Sequence, residues 1–141
     1  MPSGHIRIET SMEGKLATLL IDRPDKMNSM TVEMRQEIGQ AFRSFSRNDK
    51  LRVIVVRGAG NRAFSAGGDI GEFLKLQPHE LVAWGEEMTE VERCGKPVIA
   101  AIDGYCLGAA LALIGLSRLT GSGAYNNFEM MLTRRRFFQR A

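Results

Sequence analysis

The chain has 141 residues, of which 44% are hydrophobic and 25% charged, the composition of one soluble globular domain rather than of a disordered segment. The first residues lack the basic and apolar pattern of a secretory signal, and no apolar run reaches the roughly 18 residues of a membrane span, so we expect a cytoplasmic protein with no membrane partner. The formal charge of +3 arises in residues 117–141, which hold five arginines and one glutamate. The near-neutral remainder gives no support to a polyanion-binding surface on the main body, so we expect no nucleic-acid partner.

The first half of the chain predicts a hairpin followed by a helix. Residues 5–10 alternate in polarity and residues 15–21 are rich in strand-forming side chains, with a turn-forming segment between them. A polar loop, 22–30, leads to Thr31, which can cap a helix over about 31–47. The apolar stripe of this helix consists of Met34, Ile38, Ala41, Phe42 and Phe45.

Two uninterrupted apolar runs, 53–56 and 98–102, predict parallel strands buried on both faces. Between them, a helix over about 78–93 would pack inward through Leu81, Val82, Met88 and Val91. Strand, crossover helix and strand form a βαβ unit, right-handed by default. Residues 107–116 carry no charge and predict a helix packed closely against the sheet.

The composition changes after Leu116, where glycine, asparagine and arginine replace the apolar pattern. We therefore divide the chain into a main unit, 1–116, and an atypical basic tail, 117–141. Cys94 and Cys106 have neither metal-ligand spacing nor companion cysteines, so we expect reduced thiols and no metal site.

Two glycine-containing turns follow the predicted parallel strands. One lies in the segment 63–70, Ala-Phe-Ser-Ala-Gly-Gly-Asp-Ile, and the other in 103–110, Asp-Gly-Tyr-Cys-Leu-Gly-Ala-Ala. Ligands of open α/β sheets bind at the carboxyl ends of the strands. Tight turns and helix N-termini expose backbone N–H groups, and two such groups that converge on one point would hold an anionic oxygen.

The chain resembles the enoyl-CoA hydratase/isomerase (crotonase) family in three segments, which match the family's signatures in order and spacing. They are Arg23-Pro-Asp-Lys-Met-Asn-Ser-Met30, Phe64-Ser-Ala-Gly-Gly-Asp-Ile70 and Lys96-Pro-Val-Ile-Ala-Ala-Ile-Asp-Gly-Tyr-Cys-Leu-Gly108. The resemblance implies an α/β fold, the crotonase-like (ClpP/crotonase) spiral of ββα repeats, incomplete at the C-terminus. It also implies binding of an acyl-CoA or enoyl-CoA thioester and stabilisation of its enolate. Coenzyme A would be part of the substrate, with no separate cofactor.

The resemblance also assigns residues. The backbone N–H groups of Gly68 and Ala109 match the two oxyanion donors, and Asp69 matches a turn-bracing aspartate for which an N-cap role is favoured over proton transfer. Arg23 and Lys26 have the charge for the coenzyme A phosphates, although a solvated loop is an equal alternative for each. The segments that correspond to the ligand-binding positions comprise Arg23, Lys26, Met27, Ala66, Gly67, Gly68, Asp69 and Ile70.

The sequence departs from the family pattern at both catalytic carboxylates. The glutamate that hydratases carry three residues after the second donor is Ala112 here, and Glu129 is the only acid after Ser117, in unrelated surroundings. Full-length relatives are about twice as long and form trimers or hexamers, so we expect a truncated chain with weak or no turnover. Two hypotheses stay open: an acyl-CoA enzyme represented by an incomplete chain, and a non-catalytic CoA-binding or subunit-interacting remnant.

Other motifs favour ordinary structural roles. The segment 58–63 after a strand imitates a dinucleotide fingerprint, but the loop continues where a helix would have to begin. His5 and His79 have no partner in a catalytic pattern, and the basic-aromatic stretch 134–138 is more often incidental than an anion-binding motif.

Overall fold

The chain begins with the predicted hairpin. In the computed structural model, which describes residues 4–116 and 119–122, strand β1 (His5–Ser11) pairs antiparallel with β2 (Leu16–Asp22) in the register His5↔Asp22 to Ser11↔Leu16. The connecting turn Met12–Gly14 ends on a glycine at φ +84°, a conformation that side chains rarely adopt. The alternation of residues 5–10 and the strand-forming composition of residues 15–21 thus located the two strands correctly.

Helix α1 (Val32–Arg47) follows with the predicted boundaries. The Thr31 hydroxyl accepts a hydrogen bond of 3.1 Å from the Met34 N–H and so caps the first turn. All five residues of the predicted apolar stripe are buried. The stripe also contains Arg35, which is only 1% exposed although its type predicts a solvated side chain.

Strands and helices alternate through the rest of the described residues. The remaining elements are β3 (Val53–Gly58), β4 (Ala63–Ser65), α2 (Ile70–Phe73), α3 (Pro78–Arg93), β5 (Val98–Ile102), β6 (Tyr105–Cys106), α4 (Ala109–Leu116) and β7 (Leu119–Ser122). The main sheet has the order β1-β2-β3-β5-β7, parallel except for the hairpin, whereas β4 and β6 pair parallel in a second, two-stranded sheet. The fold is thus α/β with a mixed sheet.

The core lies between the sheet and the helices. Its largest fully buried side chains include Leu19, Ile21, Met34, Ile38, Phe42, Ile54, Phe64 and Leu113. Phe42 and Phe45 meet edge to face with ring centroids 5.5 Å apart. Arg43 of α1 forms an ion pair of 3.3 Å with Glu87 of α3, which joins the two helices at their solvent-facing edge.

Two expectations about burial were wrong. β3 and β5 are not buried on both faces: alternate residues Val53, Val55 and Ile99 are only half-buried and Ala101 is exposed. Val82 does not pack inward from α3 but is 67% exposed, whereas Met88 and Val91 are buried as expected. A helix can bury only one stripe, and α3 packs against α1 and α4; Val82 lies on the side of α3 opposite the buried Val91 and therefore faces solvent. The predicted contact of Leu81 lies outside the described side chains.

Part of the predicted tail, Leu119–Ser122, forms a strand. β7, within 119–122, pairs parallel with β5 from Ile99↔Leu119 to Ile102↔Ser122. The remainder of the tail, 123–141, lies outside the described residues. None of the helices in the described part of the chain combines the length and apolar character that a bilayer crossing requires.

Candidate functional site: two adjoining glycine turns

The two short strands β4 and β6 bring the predicted glycine turns together. They pair parallel through Ala63↔Tyr105 and Ser65↔Cys106, and the Leu107 N–H donates to the Ser65 carbonyl at 3.1 Å. Because parallel strands end at the same edge, the turns 66–69 and 107–109 emerge side by side. The sequence predicted loops at β4 and β6, because strands of two or three residues are too short to show a periodic pattern.

Glycine allows the two turns to touch. Gly67 has φ +97°, and a Cβ at this position would lie 2.8 Å from the Leu107 carbonyl oxygen and 3.0 Å from the Ala109 nitrogen. Gly108, opposite, has φ +54°. Any side chain at Gly67 would combine an unfavourable φ with a clash against backbone, so this close approach depends on glycine.

Hydrogen bonds occupy the first turn except at one donor. The bonded N–H groups are those of Ala66 to the Met27 carbonyl (2.9 Å), Gly67 to Ser65 Oγ (3.1 Å) and Asp69 to the Met30 carbonyl (2.9 Å). The Met30 N–H in turn donates to the Gly67 carbonyl at 2.7 Å. Within the described residues, the Gly68 N–H has no acceptor. Since a trans peptide directs its C=O and N–H oppositely, the Gly68 N–H points away from Met30.

The second turn leads into the N-terminus of α4. Ala109 is the first residue of this helix, and its N–H has no acceptor in the described part of the chain. The next two N–H groups are bonded locally, Ala110 to the Leu107 carbonyl and Leu111 to the Gly108 carbonyl. The partial positive charge of the helix terminus adds to the Ala109 donor. The structure thus brings the turns of Gly68 and Ala109 together and leaves both N–H groups available, while their role as oxyanion donors stays a prediction.

Asp69 has the predicted N-cap role. Its Oδ1 accepts from the Glu72 N–H at 3.2 Å at the start of α2, which confirms that expectation. Its Oδ2 lies 2.6 Å from Arg23 Nη1, and both side chains are largely shielded from solvent. The hydrogen bond from Arg23 holds the pKa of the Asp69 carboxyl below its usual range.

Arg23 is therefore engaged inside the protein as well as being a candidate phosphate ligand. Besides Asp69, its Nη1 donates to the hydroxyl of Ser29 at 3.1 Å and to the Ser29 carbonyl at 3.3 Å. Lys26 is exposed, Met27 is half-buried at φ +51°, and Ile70 is 73% exposed beside the turn. The predicted contact residues thus surround the two turns but differ in how freely they can meet a ligand.

Sequence reasoning missed a buried polar network below the first turn. Asn28, 1% exposed and at φ +55°, donates from Nδ2 to the carbonyls of Ala59 (2.9 Å) and Ala63 (2.8 Å) and accepts from the Arg23 N–H (2.9 Å). Ser65, fully buried, donates to the Asn28 carbonyl at 2.7 Å. The only sequence signal for this network was an asparagine in a polar loop, a residue that tolerates left-handed backbone.

Two other titratable groups with shifted pKa values, those of Arg35 and Cys106, lie outside the two turns. Burial lowers the pKa of the Arg35 guanidinium to about 10, and the negative charge of Glu72 opposes that shift. Burial raises the pKa of the Cys106 thiol to about 12, which keeps it protonated and a weak nucleophile. Within residues 4–116 and 119–122, histidine, cysteine and carboxylate side chains do not gather into a group that could hold a metal ion.

Comparison with known proteins identifies the class to which this chain and its fold belong. The sequence model of the family described as enoyl-CoA hydratase/isomerase matches residues 11–117. The chain belongs to the enoyl-CoA hydratase/isomerase family, as the three segments predicted.

Curated relatives cover several reactions. Carboxymethylproline synthase of Pectobacterium carotovorum is 34% identical over 86% of this chain and 50% of that protein. Crotonyl-CoA hydratase of Syntrophomonas wolfei is 33% identical over 72% of this chain and 40% of that protein. The mitochondrial Delta(3,5)-Delta(2,4)-dienoyl-CoA isomerase of Rattus norvegicus is 32% identical over 74% of this chain and 36% of that protein. The chain therefore spans half or less of the length of these relatives.

Solved structures agree on the fold. An enoyl-CoA hydratase/carnithine racemase of Magnetospirillum magneticum superposes with a TM-score of 0.77 at 28% identity, over 96% of this chain and 57% of that one. An enoyl-CoA hydratase from Streptomyces coelicolor superposes with a TM-score of 0.75 at 30% identity, over 84% of this chain and 45% of that one. The architecture is the crotonase fold, of which this chain forms part.

Proposed function

We propose that the chain binds an acyl-CoA thioester and stabilises negative charge on its carbonyl oxygen through the N–H groups of Gly68 and Ala109. The observation that carries the proposal is the hydrogen-bond pattern of the first turn. Its other three N–H groups are bonded internally, and the turn that carries the remaining Gly68 N–H adjoins the Ala109 N–H at the start of α4; neither of these two groups has an acceptor within the described residues. Membership of the enoyl-CoA hydratase/isomerase family supports a thioester as the ligand.

The chemistry follows from where charge develops. Removal of a proton next to a thioester, or addition of a nucleophile to its conjugated double bond, moves an electron pair onto the carbonyl oxygen. Two fixed N–H donors stabilise that oxyanion without having to reorient, and loss of one such donor costs about 3 to 4 kcal/mol in enzymes that depend on it. The helix terminus at Ala109 contributes further through its partial positive charge.

The coenzyme A portion would lie along the loop 22–30. Lys26 is the exposed cation of that loop and is proposed to contact phosphate. Arg23 forms an ion pair with Asp69. We therefore expect Arg23 to contribute less than Lys26 to phosphate binding and to act mainly in holding the shape of the loop. No separate cofactor is proposed, since an enolate needs only a base and a stabilised oxygen.

A second candidate, thioester binding without turnover, rests on Ala112. The methyl group of alanine cannot move a proton, and this position carries it where the resemblance places a glutamate. Incubation with crotonyl-CoA, monitored by the absorbance of the conjugated thioester, separates the candidates. Loss of absorbance beyond that of a heat-denatured sample favours an enzyme, whereas an unchanged signal under saturating ligand favours binding alone.

Calorimetric titration with butyryl-CoA and with free CoA tests the thioester site itself. The parent chain should prefer the thioester. Gly68→Pro deletes the Gly68 N–H, which takes no part in the hydrogen bonds of the Gly67 carbonyl and the Asp69 N–H, so it should reduce that preference by about 2- to 10-fold.

Gly68→Ala is the matched control, because it adds a methyl group and retains the N–H. It should keep more of the thioester preference than Gly68→Pro does. A parent chain that binds both ligands equally, or a preference that survives Gly68→Pro, would contradict the proposed donor.

A further inference from the structure

The Gly68 N–H can serve an oxyanion only if its direction is fixed, and two peptide planes determine that direction. The first is the Gly67–Gly68 peptide, held at its oxygen by the Met30 N–H at 2.7 Å. The second is the preceding Ala66–Gly67 peptide. Because Gly67 lacks a Cβ and lies at φ +97°, its own backbone offers little resistance to rotation between the two planes.

The Ala66–Gly67 peptide is held by one side chain. The Gly67 N–H donates to Ser65 Oγ at 3.1 Å, and no other hydrogen bond is found for this peptide within the described residues. Ser65 is 0% exposed, so water cannot replace its hydroxyl without entering the core. The direction of the Gly67 N–H therefore depends on where Ser65 Oγ lies.

Ser65 Oγ is itself fixed from the other side. Its hydroxyl hydrogen is donated to the Asn28 carbonyl at 2.7 Å. A hydroxyl that donates its single hydrogen in one direction presents its lone pairs in the other. Asn28 is clamped to the carbonyls of Ala59 and Ala63 through its side chain, which makes it a rigid anchor.

We propose that Ser65 is a positioning residue whose hydroxyl, held between the Asn28 carbonyl and the Gly67 N–H, fixes the direction of the Gly68 N–H toward the thioester carbonyl. The inference rests on the proposed function of Gly68. Ser65 would not contact the ligand. Its removal should weaken polarisation of the carbonyl much more than it weakens binding, because the remaining contacts with the coenzyme A portion are untouched.

Isotope-edited infrared difference spectroscopy measures that polarisation directly. Butyryl-CoA labelled with ¹³C at the thioester carbonyl is bound to the 141-residue chain, and the stretching frequency is compared with that of free ligand. In the parent, hydrogen bonding should lower the frequency. In Ser65→Ala at least about half of this lowering should disappear, while the affinity falls by less than about tenfold.

Ser46→Ala is the matched control. Ser46 Oγ also donates to a backbone carbonyl, that of Phe42 at 2.9 Å, but on α1. This variant should keep both the frequency shift and the affinity. Ser65→Cys retains a weaker donor and acceptor of similar size, so the carbonyl frequency should be lowered by an amount between those of the parent and Ser65→Ala. If Ser65→Ala does not fold, a full lowering in Ser65→Cys contradicts the positioning role and a reduced lowering supports it.

The outcomes separate the two levels of the argument. A parent that lowers the carbonyl frequency, together with Ser65 variants that retain the full lowering, would overturn the positioning role alone. A parent that leaves the frequency of the bound thioester unchanged, or does not bind it, would overturn the proposed function and this inference together.

Discussion

Asn28→Ala should be among the most destabilising single substitutions in the described part of the chain. The amide makes three hydrogen bonds with main-chain groups of Arg23, Ala59 and Ala63, and the residue is 1% exposed. A buried main-chain group that loses its partner costs about 1 to 3 kcal/mol, and carbonyl oxygens tolerate the loss better than N–H groups do. Alanine at φ +55° adds about 1 kcal/mol.

Together these effects predict a loss of about 3 to 5 kcal/mol in the free energy of unfolding, a large part of the 5 to 15 kcal/mol typical of a domain. Urea-induced unfolding monitored by circular dichroism gives the difference. Asn48→Ala is the control, because Asn48 is exposed and its amide accepts one bond, from the Lys50 N–H, so it should cost about 0.5 kcal/mol or less.

Asn28→Asp tests the same hydrogen-bond network by introducing a carboxyl group. Aspartate retains an acceptor for the Arg23 N–H but turns a carboxylate toward the carbonyls of Ala59 and Ala63, which raises its pKa in the folded state. The variant should therefore recover stability relative to the parent as the pH falls through that raised pKa. A loss below about 1 kcal/mol for Asn28→Ala, or an equal loss for Asn48→Ala, would refute the reasoning.

Three further predictions concern charge, burial and the core. Arg23 holds the pKa of Asp69 below its usual range, so the carboxylate stabilises the fold above its unfolded-state pKa of about 4 and this stabilisation disappears as the pH falls through the folded-state pKa. The advantage of the parent over Asp69→Asn in urea unfolding should shrink between about pH 5 and 3, and an advantage unchanged at the lower pH would contradict the pairing. The Cys106 thiol, with its pKa raised to about 12 by burial, should react with iodoacetamide at least about 100-fold more slowly in the folded chain than in denaturant, and comparable rates would show that it is accessible and ionised. Phe42→Ala removes a fully buried ring and should lower the free energy of unfolding by about 3 to 5 kcal/mol. Phe73→Ala, at a position 42% exposed, should lower it by about 1 kcal/mol or less in the same urea measurement. Similar losses for the two variants would mean that burial does not rank these positions.

The candidate site combines residues that are predictable to different degrees. Glycines after two parallel strands, and an aspartate just before a short helix, carry local signals that the sequence reveals. The ion pair between Arg23 and Asp69 joins residues 46 positions apart, and nothing in either segment points to the other. An arginine in a polar loop was therefore predicted to be either a phosphate ligand or a solvated side chain, whereas its guanidinium pairs with Asp69 in the first turn.

The sequence alone determined the hairpin, α1 with its Thr31 cap, the order β3-α3-β5 and the location of the glycine turns. Each of these depends on periodicity, capping or turn chemistry within a few residues. It also carried the three segments that placed the chain in its family.

Only the tertiary structure decided which groups meet. In the folded chain Arg35 is buried, whereas Val82 and Ala101 are exposed. Asn28 lies beneath the first glycine turn, almost forty residues later in the chain. The pairing of β4 with β6 placed the two glycine turns side by side, and contacts with Met27, Met30 and Ser65 left the Gly68 N–H as the donor of its turn without an acceptor among the described residues. Such contacts arise because burial and hydrogen bonding are satisfied across the whole fold, whereas a sequence pattern records only the preferences of neighbouring residues.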